Sequence, residues 1–327
     1  MKERKIIGNL FQLIVSVSML LTATMVHAAP SEEKAVVLAA FGTSYESALP
    51  GILNIQEQVQ AAMPGVPVYL AFTSNIIRRI WQKRRLDQQY IREHPEVPAS
   101  IFHVKGPLAA IADLQDEGYG YIIVQPTHMS SGEEFADLCS YVNGINSIKT
   151  VKKRNMPLRK VLIGRPAMGT HGIKHEYRHD IELLADVLTG DVERANREGR
   201  DLIYFAHGNE HYSVGVYMEF EQVMRKRYPE LKTYVTMVEG FPGTEYLLER
   251  LAVDGSKKVM IKPFMTVAGD HAKNDMAGPE PDSLKNVLLA QGIDVAVVLE
   301  GLGENDDFAS IFAEHARDAM ADAGLDQ

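Results

Sequence analysis

One plan is written into this chain twice, and that repeat limits the fold more than any other feature. KAVVLAAFGTSY (34–45) and RDLIYFAHGNEHY (200–212) each read as a buried strand, a small residue, an aromatic ring or histidine, and then glycine. An amphipathic helix follows each, LPGILNIQEQVQAAMPG in the first half and GVYMEFEQVMRKRYPE in the second. Each helix leads to another short strand, VPVYLAFTS (66–74) or KTYVTMVEGFP (232–242). Further on, GYGYIIVQPTHMSSGEEF (118–135) and SKKVMIKPFMTVAGDHAKND (256–275) align Pro126 with Pro263 and Gly132 with Gly269, which sets Glu134 opposite His271.

Strands alternating with helices of this length form βαβ units and parallel sheets. The expected fold class is therefore α/β, with two similar doubly wound parallel-sheet lobes and a cleft between them. The spacing locates one departure. Phe41 to Phe72 spans 31 residues and His207 to Glu239 spans 32, but the next intervals are 54 and 24. The first half thus carries an insert at about 75–104, read as a polar, Arg-rich helix closed by Pro95 and Pro98. The lobes are expected at 29–165 and 166–327, joined through 165–198 and its polar helix HEYRHDIELLADVL. A last strand, IDVAVVLEG, and a last helix, DFASIFAEHARDAMADAG, are expected to close the second lobe.

The N-terminus does not belong to this plan. MKERK is basic, the run that follows is apolar, and VHA-AP supplies small residues for a cut after Ala28. This is the pattern of a cleavable secretory signal over 1–28, and it predicts a periplasmic protein. An uncleaved anchor is the alternative, since the run is about long enough to span a bilayer. Cleavage removes three basic residues and one acidic one, taking the net charge from −9 to −11. That balance argues against a nucleic-acid partner. The sole cysteine, Cys139, cannot form an internal disulfide and reads as a small hydrophobe on a helix.

In open α/β sheets ligands bind beyond the carboxyl ends of the strands. His207, Glu239 and His271 fall at three such ends of one sheet. Two imidazoles and a carboxylate suit a first-row divalent ion such as Co, Ni, Fe or Zn, and they are also apt proton acceptors near neutral pH. His211, one turn past His207, reads as rim. On the first half His128, Glu133 and Glu134 sit at the matching strand end, where Glu134 could face His271; helix N-terminal carboxylates favoured by the macrodipole are the alternative reading. No G-x-G-x-x-G follows the first strand, and there is no P-loop or G-x-S-x-G. HEYRH (175–179) satisfies H-E-x-x-H but opens a helix at the join, away from the strand ends, so a zinc peptidase is disfavoured.

AAFGTSY, AFTSNIIRR, QPTHMSSGEEF, IYFAHGNEH, MVEGFPG and PFMTVAGDHAKNDM, spread over about residues 33–323, together resemble the class II chelatases. Within that family the chain is most similar to the anaerobic cobalt chelatases, which insert Co2+ into sirohydrochlorin. The resemblance implies that His207 and His271 are the essential pair, that Glu239 completes the metal site, and that the partners are a tetrapyrrole and a divalent metal, Co2+ or Fe2+. Metallation requires a bent macrocycle, a dehydrated ion and removal of two pyrrole protons. The eight carboxylates of sirohydrochlorin would meet backbone N–H groups of Gly42, Thr43 and Ser44 and of the loop at Gly132, with Arg78 and Arg79 adding charge. The export signal departs from a cytoplasmic pathway. It keeps two other readings in view: a periplasmic haem or metal carrier, and an iron-inserting ferrochelatase. His94, beside Pro95 with Arg84, Arg85 and Arg92 nearby, is a candidate haem ligand, with a homo-oligomer as one arrangement that would bring a second copy to it; a solvated helix end is the plainer reading.

Overall fold

The protein is described by a computed structural model covering residues 31–208 and 215–325. The proposed signal at 1–28 and His211 lie outside the described residues. Two four-stranded, wholly parallel sheets are present. The first contains β1 (Lys34–Ala40), β2 (Val68–Phe72), β3 (Tyr121–Pro126) and β4 (Lys160–Ile163) in the order β2-β1-β3-β4. The second contains β5 (Asp201–Gly208), β6 (Thr233–Glu239), β7 (Lys258–Phe264) and β8 (Asp294–Val297) in the order β6-β5-β7-β8. The two orders are the same, as the repeat predicts. In each sheet the order reverses beside the central pair, β1 and β3 or β5 and β7.

The strands read as near-continuous apolar runs because both faces are covered. On β1, Ala35, Val37 and Ala39 face one way. They pack on Ala110, Ile111 and Leu114 of α5 (Pro107–Asp116) and on Leu138 and Val142 of α6 (Glu133–Asn146). Val36 and Leu38 face the other way, into a core that the two sheets share. That core takes Ile55 and Val59 from α1 (Leu49–Ala62), and Ile181 and Leu184 from α7 (Tyr177–Val187). It also takes Val192 from α8 (Thr189–Glu198), Leu202 and Tyr204 from β5, and Phe220 from α9 (Gly215–Arg227). The join at 165–198 is thus a wedge of two helices inside the common core. Beyond the second sheet, Leu247 and Leu251 of α10 (Thr244–Asp254) and Leu284 and Leu288 of α11 (Leu284–Ala290) pack on Ile203 and Phe205.

Two expectations change. The last helix, α12 (Asp306–Asp322), packs on α1 and β3, so it closes the first lobe. A charged cluster fixes it there. His315 is fully buried, with Nδ1 3.1 Å from the Arg165 carbonyl and Nε2 3.2 Å from Asp180 Oδ1. Both neighbours are acceptors, so both ring nitrogens donate. Arg165 also binds Asp180 at 3.0 and 3.1 Å and Asp318 at 2.9 Å. Burial alone would raise the Asp180 carboxyl, but hydrogen bonds from His315 and Arg165 outweigh it and hold the group below its ordinary range.

The insert, read as one polar helix, is three short ones: α2 (Asn75–Arg84), α3 (Gln88–Glu93) and α4 (Ala99–Phe102). They enclose a core of their own, with Trp81, Val97, Ile101 and Phe102 against Ala40, Leu49 and Phe72.

Candidate functional site

The carboxyl ends of both sheets meet at the seam between the lobes. Thr266, just past β7, donates its hydroxyl to the Thr127 carbonyl, just past β3, at 2.7 Å. Ser130 and Tyr217 pair across the same seam at 3.2 Å. β1 and β5 each run into a glycine with positive φ, Gly42 at 99° and Gly208 at 82°. A Cβ at Gly42 would lie 2.7 Å from the Phe72 ring, and one at Gly208 would lie 1.8 Å from the Glu239 carbonyl oxygen. Only glycine fits either turn. The residue before each is Phe41, exposed, in the first lobe and His207, half-buried, in the second.

His207 and His271 meet. Their ring centroids are 4.7 Å apart and the rings lie edge to face at 84°. They come from β5 and from the loop after β7, the adjacent central strands where the order of the second sheet reverses. The His207 Nδ1 lies 3.1 Å from the Gly208 carbonyl oxygen, and the His271 Nδ1 lies 2.6 Å from Asp275 Oδ2. Both imidazoles remain partly open to solvent. Glu239 lies one strand outward, with Gly208 its register partner, and its side chain is exposed. Among the described residues no group of three His, Cys, Asp or Glu side chains stands close enough to hold an ion, so the structure brings together the two histidines without Glu239 as a third ligand.

The loop carrying His271 is tied to the first lobe. The Tyr45 hydroxyl donates to Asp270 at 2.8 Å, Lys273 Nζ donates to Ser47 Oγ at 2.6 Å, and the ammonium sits 4.3 Å from the centre of the Tyr45 ring. The hydrogen bond to Asp270, followed by burial, raises the Tyr45 phenol. A short π-helical turn, Ala272–Met276, follows His271.

Gly42, Thr43 and Ser44 lie on the first-lobe side. They are not at the start of a helix: a 3-10 turn at Glu46–Ala48 intervenes before α1. Instead the insert supports them, with Trp81 Nε1 donating to the Thr43 carbonyl at 2.8 Å and Arg84 donating to that of Ser44. Gly132 does cap a helix, α6, whose first turn holds Glu133 and Glu134. The Glu134 charge reaches the Tyr217 hydroxyl across the seam. His128 is the outlier. Both its ring nitrogens are buried without a hydrogen-bond partner, and desolvation pushes the imidazole down to about 4. Arg78 turns inward to the Phe72 and Thr73 carbonyls, while Arg79 is exposed.

Away from the seam, His94 leans on the Tyr90 ring, 4.3 Å between centroids, and places Nδ1 3.1 Å from Glu96 Oε1. Arg84 pairs with Glu46, and Arg85 faces His103 at 3.2 Å, so neither turns to His94. His175 precedes α7 and faces Asp318 and Asp322, which dismantles the H-E-x-x-H arrangement. Cys139 is half-buried on α6, and burial raises its thiol. Sequence reasoning places Tyr45 at a strand end of the site but misses Asp275 and Trp81. Asp275 was within the quoted GDHAKNDM, but nothing in that string announces a π-helical turn.

Paired imidazoles at the switch point of one parallel sheet thus face a glycine-turned loop of a second such sheet, an arrangement that suits the handling of a metal ion. A family model described as cobalt chelatase (CbiK) matches residues 34–321, and the chain belongs to that family. It is 28% identical to the sirohydrochlorin cobaltochelatase of Salmonella typhimurium over 291 residues, covering 88% of this chain and 97% of that one. It is 26% identical to the sirohydrochlorin cobaltochelatase CbiKC of Nitratidesulfovibrio vulgaris over 292 residues, covering 89% and 92%. In fold it is similar to SirB from Bacillus subtilis with Fe3+, at a TM-score of 0.55 and 11% identity, covering 89% of this chain and 97% of that one. The sirohydrochlorin chelatase SirB from Bacillus subtilis subspecies spizizenii in complex with cobalt gives 0.52 and 10%, with the same coverage.

Proposed function

We propose that this chain inserts Co2+ into sirohydrochlorin outside the cytoplasm, after export and cleavage of its first 28 residues. The observation that carries the proposal is the meeting of His207 and His271, 4.7 Å between ring centres, at the seam. Co2+ arrives hydrated and the macrocycle arrives with two inner N–H protons. The product keeps the ion and loses both protons. Each histidine uses Nδ1 on an acceptor, so each Nε2 is left with a lone pair for the ion or for a pyrrole proton. The second lobe thus supplies the basic side, with Glu239 near by to draw the cation in. The first lobe supplies the face for the macrocycle: exposed Phe41, the backbone of Gly42, Thr43 and Ser44, and Glu134 beyond β3, while the buried ring nitrogens of His128 do not reach that face. Fe2+ suits the same donors and is the competing substrate metal.

The test is an anaerobic visible-absorption assay with sirohydrochlorin and either ion. Faster metallation with Co2+ than with Fe2+ supports the reading. Equal or greater preference for Fe2+ would make this an iron chelatase, and tight binding without acceleration would make it a carrier. For export, the tagged full-length chain is expected in the periplasmic fraction with Ala29 as its new N-terminus; a cytoplasmic chain starting at Met1 would refute that part. Haem at His94 is tested by the spectrum of the purified protein, where a haem absorption band that disappears in His94→Ala is required.

A further inference from the structure

We infer that Asp275 is a positioning residue for His271, fixing its tautomer and aim so that Nε2 meets the incoming ion. This inference rests on the chelatase reading of the histidine pair. An ionised carboxylate only accepts hydrogen bonds, so at 2.6 Å from Oδ2 the His271 Nδ1 carries the hydrogen. The lone pair then lies on Nε2, and the ring cannot flip without losing that bond. The two histidines are backed differently. His207 is held by a backbone carbonyl that strand register fixes, whereas His271 is held by a carboxylate. A carbonyl orients its ring, while a carboxylate also adds negative charge behind the imidazole and makes it the stronger donor to a cation.

The local backbone is built for this contact. Asp275, four residues after His271, lies within the π-helical turn Ala272–Met276, whose backbone brings the two side chains together. The turn is anchored before and within the pair: Asp270 accepts from Tyr45 and Asn274 at 2.8 and 2.9 Å, and Lys273 reaches Ser47 at 2.6 Å. Single-turn π segments concentrate at functional sites. Stability does not explain the pair. The side chains are 36% and 48% exposed, and an ion pair that open to water contributes little to folding.

The test uses the full chain and its Asp275→Asn, Asp275→Ala and Asp275→Glu variants. Co2+ alone is titrated first, followed by its visible bands on the protein. Metallation rates are then measured against Co2+ and sirohydrochlorin separately. Asp275→Asn and Asp275→Ala are expected to weaken Co2+ binding about 10- to 100-fold and to raise KM for Co2+ in step. KM for sirohydrochlorin and the urea midpoint are expected to stay put, and Asp275→Glu should recover part of the affinity. Wild-type Co2+ affinity in both Asp275→Asn and Asp275→Ala would overturn the inference. If the wild type binds Co2+ but does not accelerate metallation, the chelatase reading falls, and the Co2+ titration alone decides on Asp275. A wild type that binds no Co2+ overturns both.

Discussion

His128 shows what burial alone can do to one side chain. Part of the residue reaches the surface, yet both ring nitrogens are out of water and unpartnered. Its folded pKa of about 4 lies below the ordinary 6.5, so the unfolded chain binds a proton there that the folded chain refuses. Stability is therefore complete above pH 6.5 and falls as the pH drops toward 4, by up to about 3 kcal/mol from this group. Urea midpoints at pH 7 and 4.5 are expected to fall less in His128→Leu than in wild type; an equal fall would mean the ring finds a partner. His207 and His271 were legible in the sequence because each ends an apolar run, the first just before a glycine and the second just after one. Their contact was less so, since only the strand order brings β5 and β7 side by side. Asp275 was hidden for a different reason: an i, i+4 carboxylate is commonplace on a helix, and its bond to His271 depends on a backbone turn that the residues do not announce.

At the scale of elements, the insert teaches the opposite lesson. Its arginines dominate the sequence and suggest a solvated helix, but Trp81 turns it into a support. The indole is fully buried, edge-on to Phe102 at 5.7 Å between ring centres, and its N–H holds the Thr43 carbonyl. The pairs Ile76-Ile77 and Ile80-Trp81 recur at helical spacing, but the arginines between and after them hide that Ile77 and Trp81 of this stripe pack against the strand ends. Trp81→Phe keeps much of the packing and deletes the bond, so it should cost about 1–3 kcal/mol. Because that bond steadies the Gly42–Ser44 loop, KM for sirohydrochlorin should rise in Trp81→Phe while KM for Co2+ does not. Unchanged KM values would separate the insert from the substrate face.

The whole molecule is less modular than its repeat. The twofold plan was readable because strands, turns and glycines recur in step, and the identical strand orders follow from it. What the repeat could not convey is where α12 goes, since an amphipathic helix does not specify which sheet covers its face. It crosses back to the first lobe and is latched by Asp180, Arg165 and His315 around a core common to both sheets. Asp180→Ala leaves the buried His315 Nε2 without its carboxylate and Arg165 with Asp318 alone, and should cost about 3–5 kcal/mol in urea unfolding. The shared core further predicts one cooperative transition for both lobes. Two separate transitions would show that the halves fold independently.

The central claim is that His207 and His271 act as one unit on the ion and the pyrrole protons. The direct measurement is kcat/KM for Co2+ insertion into sirohydrochlorin in His207→Ala, His271→Ala and the double variant. Each single change is expected to lower it about 10²- to 10⁴-fold, with the double variant little worse than either, because residues that work together are not additive. Single variants at wild-type rates, or losses that multiply in the double variant, would contradict the account.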